Sequence, residues 1–86
     1  MKPDTLKRLR DGLHNHYGAL AEVVRRTEKL KDGGFTRNYV QQVLLGKHEN
    51  FDILDIAVVV LSEKETTRRQ RVERLEQRVN SILQPS

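Results

Sequence analysis

Between Thr36 and Lys47 the chain carries Arg37, Asn38, Gln41 and Gln42, and no acidic residue. A guanidinium group can bond bidentately to guanine, and a side-chain amide of Asn or Gln can do the same to adenine, on the floor of the DNA major groove. At helical spacing these four residues fall on one side of a helix. Val40, Val43 and Leu44 fall on the other, with Tyr39 at its edge. A helix face that meets only water is normally filled with Glu and Lys, which are soluble and favour helix. The competing explanation for this stretch is a polar surface without a partner.

The residues around the stretch are those needed to hold such a helix. The Thr36 hydroxyl can accept from free backbone N–H groups of the first turn. Phe35, just before it, can pack on Val40 as a hydrophobic staple. Gly46 can take the left-handed conformation that ends a helix.

Upstream, Asp4 or Thr5 can cap a first helix running to about His16, with Leu6, Leu9 and Leu13 as its apolar stripe. Lys7, Arg8 and Arg10 lie off that stripe and read as a solvated basic face rather than as phosphate contacts. Gly18 lets the chain turn. A second helix is expected from Ala19 to about Leu30, with Leu20, Val23, Val24, Thr27 and Leu30 at helical period. Arg25, Arg26, Lys29 and Lys31 crowd its end, where cations suit the helix dipole. Asp32-Gly33-Gly34 is the strongest turn signal in the chain. Two amphipathic helices joined by a Gly-containing turn, the second of them polar, form a helix-turn-helix.

In these residues the chain resembles the lambda-repressor/Cro-like helix-turn-helix DNA-binding domains. The likeness lies in Leu20-Ala21 or Val23-Val24, then Thr36 to Lys47, then Asn50 and the apolar helix after it, and it covers roughly residues 5–64. The segment YVQQVLLGK is similar to the family's recognition-helix close, two buried apolar positions followed by Gly and a basic residue. One departure is the path from Leu30 to Thr36, longer than the family's tight turn. Either the second helix runs an extra turn or an insertion has loosened the joint. The resemblance implies that Thr36 to Leu45 lies in the major groove, with Arg37, Asn38, Gln41 and Gln42 facing base edges and Thr36 near a phosphate. These side chains are expected to be exposed. The resemblance also implies that the loop Gly46 to Asn50 follows the DNA backbone, which makes Lys47 and His48 candidate phosphate contacts.

Asn50 or Asp52 can cap the next helix, about Phe51 to Lys64. Ile53, Leu54, Ile56, Ala57, Val58, Val59, Val60 and Leu61 cover nearly its whole circumference. A helix apolar on most sides is buried on most sides, and a single small core can hardly cover it all, so a second subunit is expected to meet part of it. Ser62 to Arg71 then carry no apolar side chain beyond threonine methyls. Val72, Leu75, Val79 and Ile82 follow at alternating spacings of three and four, a heptad seam flanked by Arg and Glu. This seam is the expected dimerisation element. No Gly or Pro lies between Asp52 and Gln84, so one long helix is possible, yet Thr66 or Thr67 could cap a separate one.

The 86 residues suffice for one modest core, with a helix-turn-helix domain expected over 1–64 and a C-terminal helix over 65–86. Net charge is +4, which suits an anionic partner but is a weak signal alone. The absence of cysteine removes disulfides and thiolate metal sites and is compatible with a reducing cytoplasm, the expected location. Met-Lys-Pro-Asp lacks the apolar core of a signal peptide, and no run approaches a membrane span.

Other candidate chemistry is thin. His14 and His16 are two apart and point to different sides of a helix, and His48 has no partner at zinc-helix spacing. Asp52 and Asp55 sit where acids favour a helix dipole. Gly33-Gly34 is too short to cradle a phosphate, and Ser62 and Ser81 lack a neighbouring base. A single-strand stacking platform needs several exposed rings, and of the four aromatic residues Tyr17, Phe35, Tyr39 and Phe51, at least Phe35 and Phe51 have caps or core to pack on. No enzyme, metal or cofactor is expected.

The expectation is therefore an all-α chain of four or five helices with a lambda-repressor-like helix-turn-helix and a C-terminal amphipathic helix. Its expected role is sequence-specific binding of double-stranded DNA as a homodimer, in a small repressor-like transcriptional regulator. The rival readings are a helical protein-interaction module that does not bind DNA, and an antitoxin-like protein that binds DNA and a partner protein through its last helix.

Overall fold

The computed structural model describes residues 1–84, and among them every regular element is helical. Helix α1 spans Pro3–His14 and α2 spans Ala19–Arg26, followed by one 3-10 turn, Thr27–Lys29. Helix α3 spans Arg37–Leu44, and α4 runs unbroken from Phe51 to Leu83. No helix in this stretch is long and apolar enough to cross a membrane.

Helix α1 starts earlier than Asp4 or Thr5 would cap it. Pro3 takes the first helical position, where its fixed φ suits the helix and its missing N–H costs nothing. The helix stops at His14, two residues short of the expected end, and Gly18 at φ 77° leads into α2. Helix α2 also ends early. After Arg26 the backbone tightens into the 3-10 turn, so Leu30 falls off the buried stripe and is 42% exposed.

Each helix gives its apolar stripe to one core. Leu6, Leu9 and Leu13 come from α1, and Ala19, Leu20 and Val23 from α2. Val40, Val43 and Leu44 come from α3, and Ile53, Leu54, Ala57 and Val60 from α4. Val58 and Val59 stay 49% exposed, so the single chain does leave part of this apolar helix uncovered. Asn50, rather than Asp52, caps α4: its Oδ1 accepts from Ile53 N–H at 3.2 Å.

Beyond Glu65, α4 adds no residue to the core. Every residue from Thr66 to Leu83 is exposed. Thr66 and Thr67 lie inside the helix and cap nothing. The molecule measures 58 × 29 × 16 Å with a radius of gyration of 16.9 Å, against about 12 Å for a compact chain of this length. The shape is a helical head with one helix reaching out of it.

Candidate nucleic-acid interface

Helix α3 is closed at both ends by its own neighbours. Thr36 Oγ1 accepts from Tyr39 N–H at 3.1 Å, the expected N-cap. At the other end Lys47 N–H donates to Gln42 C=O at 2.9 Å and Gly46 N–H to Val43 C=O at 3.0 Å. That pair is a Schellman motif, and Gly46 supplies the left-handed residue it needs, at φ 82°. Arg10 adds a tertiary cap, its Nη1 donating to Leu44 C=O at 2.9 Å. Arg10 is therefore half-buried and structural, which its place among the surface cations of α1 did not reveal.

The joint between α2 and α3 is held by Thr27, which is fully buried. Its hydroxyl donates to Val24 C=O at 2.6 Å and accepts from Phe35 N–H at 3.0 Å. The loop after the 3-10 turn is thereby tied back to the end of α2. Gly34 packs against the same hydroxyl: a Cβ there would lie 3.1 Å from Thr27 Oγ1, at a φ of 71° that disfavours any other residue. The long connection is thus a fixed corner: α2 gains no further α-turn, and the extra residues are pinned. Phe35 packs against the core, with its ring stacked on Tyr39 at 5.0 Å between centroids. Tyr39 in turn stacks on His48 at 5.5 Å, and Lys31 Nζ lies 5.3 Å above Phe35.

The four candidate reading residues divide into two pairs. Arg37 and Asn38, at the start of α3, are exposed as expected. Gln41 and Gln42 are half-buried, which corrects the expectation of free exposure. They wall a cleft with Arg10, Leu13, His14 and Leu20, because the end of α3 leans on α1. Arg37 borders a second cleft with His14, His16, Tyr17, Gly18 and Ala21. The turn between α1 and α2 therefore sits beside the N-terminus of α3, and the Tyr17 ring stands free in solvent there. Thr36, Lys47 and His48 are also exposed.

The charges are distributed unevenly. Arg25 and Arg26 both bond Glu22, and Arg26 reaches α4 to bond Glu63 at 2.6 Å. The two arginines hold the Glu22 carboxyl down at about 2, the Arg25 hydrogen bond being the larger cause and Arg26 the next. Arg26 likewise lowers Glu63. His16 Nε2 donates to Glu65 Oε1 at 2.8 Å, which links the α1–α2 turn to α4 and lowers the Glu65 carboxyl. Among the described residues Arg37 and Lys47 make no ion pair. No trio of His, Asp or Glu able to hold a metal occurs among them.

No known protein family, curated protein or solved structure matches this chain. The class its fold defines is a small all-helical protein with two short helices joined at a fixed corner.

Proposed function

We propose that the chain binds double-stranded DNA sequence-specifically through α3, as a homodimer, and acts as a small repressor-like transcriptional regulator. One observation carries this reading. The arginines at the end of α2 are neutralised by Glu22 and Glu63, whereas Arg37 stands unpaired and exposed beside Asn38 at the start of an acid-free helix. A side chain kept free of internal partners, on a helix fixed at both ends, is poised to bond an external acceptor. Bidentate bonding to guanine is the contact that suits a guanidinium there. Lys47, exposed at the other end of α3, suits a phosphate.

The test begins with selection of bound duplexes from a random pool. Arg37→Ala should then cost on the order of 1–3 kcal/mol on the selected duplex and much less on a scrambled one. Its melting should stay within about 0.5 kcal/mol of the parent stability, since the side chain is exposed. Lys47→Ala should weaken both duplexes about equally and make the salt slope shallower by about one unit. If Arg37 and Asn38 can both become Ala with affinity intact, α3 is not the reader.

A further inference from the structure

A periodic apolar seam that takes no part in the core lies on the protruding half of α4. Val72, Leu75, Val79 and Ile82 are 44%, 54%, 50% and 77% exposed, and Val72, Leu75 and Val79 border a shallow groove along the helix with Glu76 and Asn80. Their own chain passes nowhere near enough to cover them. The spacing assigns heptad positions: Val72 and Val79 at a, Leu75 and Ile82 at d. Within a parallel coil, valine at both a positions with Leu75 at the first d favours two strands. The flanking charges give an independent indication of the same partner and supply the orientation. Arg71 and Arg78 take the g positions, and Glu76 and Leu83 take e.

We propose that two copies of this chain pair in parallel and in register along α4 from about residue 69 to 83, with Arg71 of each copy facing Glu76 of the other. In a parallel pair each g residue meets the e residue five places on in its partner. Arg71 then meets Glu76 twice, once on each side of the seam, and the aliphatic stem of Arg78 covers Leu83. An antiparallel pair would set e against e and g against g, so that Glu76 would face Glu76 and arginines would face arginines.

The seam has a definite upstream end. The next a and d positions are Glu65 and Arg68, which would stack like charge on like charge across a two-fold axis, and Glu65 is already bonded to His16. One heptad further back, Leu61 is taken up inside its own chain, against Gly12 of α1. The two heads therefore diverge where the helix enters them and stand at the same end of the coil, related by one axis. This inference deepens the homodimer part of the reading above and rests on it, but it does not depend on DNA.

The chain has no cysteine, so single cysteines report the geometry without background. Full-length Ile82→Cys, oxidised, should form a disulfide-linked dimer. Full-length Gln77→Cys, at the outward f position, should form none and so controls for collision. Glu76→Arg should weaken the dimer roughly tenfold in sedimentation across a concentration series, as two attractive pairs become repulsive. Adding Arg71→Glu to the same chain should restore it. A monomeric full chain throughout the series would overturn the proposal. So would cross-linking of Val72→Cys to Ile82→Cys in a mixture when Ile82→Cys alone gives none, because that is the antiparallel arrangement. Loss of the Arg37 effect on DNA would remove the reading of α3 and leave this pairing standing.

Discussion

Single side chains decide the geometry of the candidate site, and Thr27 is the clearest of them. In the sequence it is one more position on the buried stripe of the second helix, where its methyl group suffices to explain it. Its hydroxyl does something the stripe cannot show, bridging Val24 C=O and Phe35 N–H across the corner. Thr27→Val keeps the shape but takes the acceptor from Phe35 N–H and should cost about 1–3 kcal/mol. Thr27→Ser keeps the hydroxyl and should recover the part lost to hydrogen bonding. Urea unfolding of the two variants separates them, and a Val variant as stable as the parent would show that the loop holds itself. The caps of α3, by contrast, were legible because they use residue types with one dominant job, Thr36 before a helix and Gly46 after one. The half-burial of Gln41 and Gln42 was not, since it depends on how α3 leans on α1.

At the scale of elements, what was readable was the helical type and the rough placement of the helices, and what was not was their number, four or five, and where α2 and α4 end. Apolar period continues smoothly through Thr27 and Leu30, so nothing in the pattern marks the switch to a 3-10 turn. The continuity of α4 was open for the opposite reason: neither a breaker nor a decisive cap lies between Asp52 and Gln84. Beside their shared apolar core, one ion pair joins α2 to α4, Arg26 to Glu63, and Glu22 holds Arg26 in place, so this part of the packing depends on acid. Glu22 titrates near 2 in the folded chain against 4.5 when free. Its folded value is the lower one, so its stabilisation is fully present above about pH 4.5 and is lost as pH falls toward 2. Glu63 and Glu65 shift in the same direction. Thermal melting should therefore decline steadily on acidification through that window. Glu22→Gln should melt lower than the parent at neutral pH, and the gap should close as the acid limit is approached. A constant gap would mean that the Glu22 charge contributes nothing to the packing.

At the scale of the whole molecule, the head and the protruding helix divide the work of folding. All the buried apolar residues lie at or before Val60, so the head has its complete core without the seam. A chain truncated after Arg69 keeps that core and the His16–Glu65 bond, and loses Val72, Leu75, Val79 and Ile82 together. It should fold with the same helical signature per residue in the head and sediment as a monomer. The full chain should behave differently on dilution. A dimer that forms only from folded chains is stabilised by mass action, so its melting temperature should rise with protein concentration. The truncated chain's should not. Two heptads are a short coil, and helices of that length are marginal alone, so the rise should be visible at ordinary working concentrations rather than saturated. The same truncation should affect DNA in a specific way: each head would still reach one half-site, but the two-fold site would lose the gain from linking both heads on one scaffold. Affinity for a single half-site should be unchanged, and affinity for the paired site should fall to that of the half-site. If the truncated chain still sediments as a dimer and its melting still tracks concentration, the exposed Val58 and Val59 of the head carry the contact, and the helix beyond Arg69 serves some other partner.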